Sequence, residues 1–177
     1  GNLSALIYML PLALAIATLV LVGQAVGGRD GAGARRAAKV GIVLATGLST
    51  LVSIVMWLAR DPVMAAYTAD PAVRELASSL VIYICLYQFF DAIQTVAAHA
   101  LRGYKITVGP MLIHTLCFWG IGLGGGYGLA FSGLGALLPP QGVAGFWQAA
   151  VLSNMAAAAL FGGYLHLASK NHVARPA

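Results

Sequence analysis

YQFFDAIQTVAAHALRGYK, Tyr87 to Lys105, is the stretch on which the reading of this chain turns. Followed back to Leu76, it makes a run to Leu101 in which Asp91 is the one charged residue. A helix crosses a bilayer with about 20 mostly apolar residues, so this segment is long and apolar enough to do so. A carboxylate at that depth costs about 2.5 to 3.5 kcal/mol on insertion scales and needs a reason to be there.

The rest of the chain is built in the same way. Its 177 residues are 60% hydrophobic and 8% charged, with a mean hydropathy of +0.85, far from the balance of soluble domains. Ten Lys and Arg against five Asp and Glu give a net charge of +5, too sparse to make a nucleic-acid surface. Long uncharged stretches predict five spans, over residues 2–27, 40–59, 76–101, 107–131 and 146–168. The fold class expected is therefore an all-α, polytopic transmembrane helical bundle.

Charge between the spans alternates. The first link holds Arg29, Asp30, Arg35, Arg36 and Lys39, the third holds Arg102 and Lys105, and the tail holds Lys170 and Arg175. The second link is balanced, with Arg60, Asp61, Asp70, Arg74 and Glu75, and the fourth, around Pro139 and Pro140, is uncharged. Under the positive-inside rule this puts the first residue outside and the C-terminus in the cytoplasm. Asp61-Pro62 and Asp70-Pro71 predict a turn-rich second link, Pro71 standing where a helix can start. Pro11 lies within the first span and predicts a kink there. Trp57, Trp119 and Trp147, near span ends, are expected as interface anchors. Cys85 and Cys117 fall inside apolar runs and are expected to pack as small hydrophobes.

At 100° per residue, Tyr83, Tyr87, Gln88, Gln94, Thr95, His99 and Arg102 lie within roughly 80° of Asp91 on a helix. The opposite face reads Ile82, Leu86, Phe89, Phe90, Ile93, Val96, Ala97 and Ala100, all compatible with lipid. The polar stripe must turn toward protein or a water-filled cavity. Tyr87 and Asp91, at i and i+4, can converge on one point, and their oxygens, with Gln94 or Thr95, suit a hard monovalent cation. Asp91 could instead carry a proton, or serve as interhelical glue in a structural membrane subunit. His99 is expected to be hydrated near the inner end.

Other signals carry less. Gly120, Gly122 and Gly125 match GxGxxG, but no strand precedes them and no acidic residue follows Asp91, so a dinucleotide site is not expected. The glycine cluster reads better as close packing, a loosened helix, or both. His114, His166 and His172 are scattered, with no metal-ligand spacing, and no nucleophile motif suggests an enzyme.

Several segments together resemble the multidrug and toxic compound extrusion (MATE) family of cation-coupled efflux antiporters. YMLPLALAIATLVLVGQAVGG from Tyr8 and the basic residues after it resemble the second helix of a lobe and its loop. Tyr87 to Lys105 resembles the tenth helix, Phe118 to Phe131 the eleventh and Gly142 to Leu165 the twelfth. The resemblance implies a partial C-terminal lobe, helices eight to twelve of a twelve-helix antiporter of the cell inner membrane. It implies that Asp91 and Tyr87 bind the coupling cation, as metal ligands if that ion is Na⁺ rather than H⁺, with no other cofactor. Tyr83, Gln88, Gln94 and Thr95 would line the cavity, with Phe89 and Phe90 on its flanks. Its partners would be small-molecule drugs or toxic organic cations, membrane lipid, and the N-terminal lobe and seventh helix of the same protein. A lipid or oligosaccharide flippase of the same superfamily is the alternative within transport. Departures from the family pattern are Leu21 for Arg, Ile106 for Asp and Gly124 for Pro. The resemblance predicts that the reading frame upstream of Gly1 encodes seven further helices, one with an intramembrane acid; a start codon immediately before Gly1 would overturn it.

Overall fold

The caps, rather than the apolar runs, set where the helices begin and end. The computed structural model describes residues 2–67, 69–132 and 142–173. Pro139, Pro140 and Arg175 lie outside them. The first helix, α1 (Asn2–Gly27), contains Pro11, whose ring is fully buried. It stops in a Schellman arrangement, Asp30 N bonding to Ala25 O at 2.8 Å and Arg29 N to Val26 O at 3.2 Å, with Arg29 at φ 59. Asp30 then caps α2 (Gly31–Leu58), accepting the Gly33 amide at 2.8 Å. A Cβ on residue 33 would meet the Asp30 carboxylate where it stands, so a larger residue there would make the capping side chain shift.

The helix that carries the second span therefore begins at Gly31, nine residues before Val40, and Arg35, Arg36 and Lys39 are helical residues instead of loop residues. Long basic side chains allow this, since their stems lie along apolar surface while the charge reaches water. The second link is also not the turn-rich segment expected. It forms a short helix, α3 (Arg60–Tyr67), with Asp61 in its first turn and Arg60 lying 4.1 Å over the Trp57 ring. Proline is compatible with a first turn because the amide it lacks would be unpaired there anyway.

Asp70 caps the next helix, α4 (Pro71–Gly103), accepting from Ala72 N at 2.9 Å, with Pro71 in the first turn as expected. Its other end repeats the closure of α1: Ile106 N bonds to Leu101 O at 3.0 Å, and Lys105, at φ 62, occupies the left-handed position. Then come α5 (Val108–Thr115), two π-helical stretches (Leu116–Gly125 and Gly128–Ser132), and α6 (Val143–Val173). Among the described residues five segments are long and apolar enough to cross a membrane, the fourth running Val108–Phe131. The fifth exceeds the expected 146–168 at both ends.

α4 is the centre of the bundle, packing against α1, α2 and α6. Its expected lipid face is only partly that. Ile82 and Leu86 are exposed, but Val96, Ala97 and Ala100 are completely buried against the neighbouring helices. Small residues allow this, as membrane helices associate by close backbone approach rather than by hydrophobic expulsion. The Thr18 side chain fills the space a Cβ on Gly41 would need, and a Cβ on Gly103 would meet Val22 Cγ1 at 2.8 Å and Leu19 O at 3.0 Å. The Leu19 contact is with backbone and cannot yield by a rotamer change. Gly103→Val should therefore destabilise the α1–α4 contact by about 1 to 3 kcal/mol, read as a lowered unfolding temperature in detergent; an unchanged temperature would show that the contact can open at no cost.

Candidate functional site

Hydrogen bonds onto its backbone hold α4 in place between α2 and α6. From α2, Ser49 Oγ donates to Gln88 O at 2.9 Å and Ser53 Oγ to Cys85 O at 3.3 Å; from α6, Asn154 Nδ2 donates to Tyr87 O at 3.4 Å. Three carbonyls within a single turn, from Cys85 to Gln88, are thus tied from two sides, which fixes the rotation of the helix about its axis. The Asp91 stripe consequently faces a cavity of about 870 Å³ between α4, α6 and the helix from Val108.

The stripe lines this cavity almost as periodicity predicts. Tyr87, Gln88, Asp91, Gln94, Thr95, His99 and Arg102 all contribute. Asp91 is 8% exposed, and Gln94 Nε2 donates both to its Oδ1 at 2.9 Å and to Asn154 Oδ1 at 3.1 Å. Both partners are acceptors, which places the amide nitrogen between them and turns the amide oxygen away. That oxygen, Gln94 Oε1, is buried without a hydrogen-bond partner. A buried carboxylate in the wall of a cavity is a ligand fitted to a small hard cation, or to water or a proton donor.

Tyr83 departs from expectation. It does not line the cavity, and its hydroxyl accepts from Gln148 Nε2 at 3.3 Å, nearer the α4 N-terminus. The 80° tolerance that admitted it to the stripe was wide enough to include a residue at the edge of α6. Phe89 and Phe90 also stay out of the cavity. They meet edge to face at 5.2 Å, and Phe89 lines a groove between α2 and α4.

The cavity's aromatic walls come from other helices. Trp147, expected as an interface anchor, lines the cavity and meets the Tyr87 ring edge-on at 6.4 Å. Its position near a span end says nothing about which way the ring points, and here α6 turns it inward. His114 stacks on Phe118, with centroids 4.4 Å apart and planes at 17°, and Phe161 completes the wall. His114 has no metal-ligand spacing in the sequence, and its i, i+4 relation to Phe118 is the signal there that pairs the two rings. Asn154, fully buried, was missed altogether, although an amide inside the fifth span invites the same question as Asp91. Thr95 O holds His99 Nδ1 at 2.8 Å, so His99 is turned partly onto its own helix.

The Gly120–Gly126 segment is both loosened and closely packed. The π-helical turns leave carbonyls in irregular register, and Ser153 Oγ donates to one of them, Cys117 O, at 2.7 Å. A Cβ on Gly126 would lie 2.7 Å from Phe146 Cδ1, so glycine sets how near α6 this helix lies.

Residues 1–127 match the MatE family. The chain belongs to that family. It is 57% identical over 167 residues to the probable multidrug resistance protein NorM of Aromatoleum aromaticum, covering 94% of this chain and 36% of that protein. It is 40% identical over 174 residues to the protein of the same name from Chromobacterium violaceum, covering 98% of this chain and 37% of that one. The eukaryotic MATE transporter AtDTX14 superposes with a TM-score of 0.80 at 18% identity, over 94% of this chain and 37% of that structure. The MatE chain described here is thus a multi-pass membrane protein with this transporter fold, spanning little more than a third of the length of these relatives.

The Gln94 amide couples the site to α6, which gives a direct check. Asn154→Leu removes an acceptor from Gln94 and a donor from Tyr87 O, and should cost about 1 to 3 kcal/mol of stability, whereas Asn154→Thr, whose hydroxyl oxygen can still accept from Gln94 without adding a charge beside Asp91, should cost less. Equal melting temperatures for the two variants in detergent would sink this coupling.

Proposed function

We propose that this chain is most of the C-terminal lobe of an inner-membrane antiporter that exports amphipathic, often cationic drugs in exchange for inward Na⁺ or H⁺. Membership of the MatE family and relatives named as multidrug resistance proteins support the class. The single observation that carries the site is Asp91, buried in the wall of an aromatic-lined cavity and held there by the Gln94 amide.

One carboxylate in a low-dielectric cavity can neutralise one cation well and two poorly, because the second adds repulsion without a matching charge. A coupling ion at Asp91 and a cationic drug against Trp147, Phe118 and Phe161 would therefore compete. Tyr87 would share the ion with Asp91, the Asn154-tethered Gln94 amide would hold Asp91 Oδ1 in place, and the aromatic faces would supply cation–π contact to the drug. Exchange follows if each ligand favours a different opening of the cavity, since a ligand shifts an equilibrium by its differential affinity for the two states. In this reading the first residue is external, the C-terminus is cytoplasmic, and the N-terminal lobe with the seventh helix completes the cavity.

Asp91→Asn in the complete gene should reduce ethidium efflux from cells to the empty-vector rate at unchanged expression. Unchanged efflux would instead assign Asp91 the structural role of an interhelical tether. The chain expressed without its partner lobe should give no efflux above vector; measurable efflux would overturn the requirement for two lobes.

A further inference from the structure

The first turns of α2 form a second concave feature, remote from Asp91 in the sequence and unused by the exchange reaction. The aliphatic stems of Arg35, Arg36 and Lys39, with Ala32 and Val40, line an almost wholly apolar hollow of about 410 Å³. Among the described residues none of these three cations is in an ion pair, and Asp30, the nearest acid in the sequence, is engaged as the cap of the Gly33 amide. Arg35 Nε is buried without a hydrogen-bond partner. Burial pushes the neighbouring Tyr104 phenol up, and the Arg35 charge partly offsets this, so Arg35 stands at the inner edge of the hollow while Arg36 and Lys39 are exposed. Topology asks for positive charge at this end of a span. It does not ask for three unpaired cations around one concavity.

What lies along the helix from the hollow matters as much. At 100° per residue Arg36, Val40, Val43, Gly47 and Leu51 fall on one face, and each is exposed, Val43 by 69% and Leu51 by 58%. With a rise of 1.5 Å per residue, Arg36 to Leu51 covers about 22 Å, longer than the roughly 15 Å of one leaflet's hydrocarbon. Nothing stands within 4 Å of a Cβ built on Gly47, so the stripe is notched there. The geometry points to a binding site for an anionic phospholipid, its phosphate held by Arg35, Arg36 and Lys39 and one acyl chain lying along Val40, Val43 and Gly47. A free phosphate would meet the three cations but leave the stripe bare. A zwitterionic lipid would cover the stripe but bring an ammonium group against three cations. The inference does not depend on the role of Asp91.

The test is native mass spectrometry of the complete protein released from detergent after exchange with phosphatidylglycerol, cardiolipin or phosphatidylethanolamine. Wild type should retain the two anionic lipids and release phosphatidylethanolamine. The Arg35→Gln, Arg36→Gln, Lys39→Gln triple variant should hold phosphatidylglycerol on the order of a hundredfold more weakly. Val43→Glu, which leaves the three cations in place, should also lose the lipid, and it keeps the test open if the triple variant fails to insert. Equal retention of phosphatidylethanolamine, undiminished retention by Val43→Glu or by an inserted triple variant, or displacement of the lipid by soluble glycerol 3-phosphate would overturn the proposal.

Discussion

A carboxylate cannot be left against hydrocarbon, and the place of Asp91 within a 33-residue helix therefore dictates which face of α4 the other helices must cover. Everything near the cavity answers that constraint. α6 supplies Asn154 and Trp147, the π-helical segment approaches through its glycines, and α2 fixes the helix from behind with Ser49 and Ser53. α4 is accordingly central rather than peripheral, and the alanines expected to meet lipid are buried against neighbouring helices.

The helices hold together without a hydrophobic driving force of the aqueous kind. Gly103 against Val22, Gly41 against Thr18 and Gly126 against Phe146 bring backbones close, and hydroxyl or amide groups then reach carbonyls on the next helix. The π-helical stretch joins both habits. Its irregular carbonyls need an outside donor, which Ser153 provides, and its glycines admit α6 near enough to provide it.

Much of this was legible in the sequence. Hydropathy counted the spans, and a 3.6-residue period found the polar stripe, with Tyr87, Gln88, Asp91, Gln94 and Thr95 all reaching the cavity. Span ends were less legible, because hydropathy senses the apolar segment while Asp30 and Asp70 set the helix starts. Tyr83 and Trp147 were misplaced for one shared reason: periodicity gives a residue's angle on its own helix but not where the neighbouring helix lies.

The sequence by itself determined the all-helical membrane class, the stripe and the buried acid, since each follows from periods and transfer costs that act within one helix. The tertiary structure alone decided that Asp91 meets Gln94 and Asn154 together and that His114, Phe118, Trp147 and Phe161 form the wall. Those are juxtapositions of residues up to 60 positions apart. They depend on helix rotation and approach, which interhelical hydrogen bonds and missing side chains set, and no local pattern encodes them.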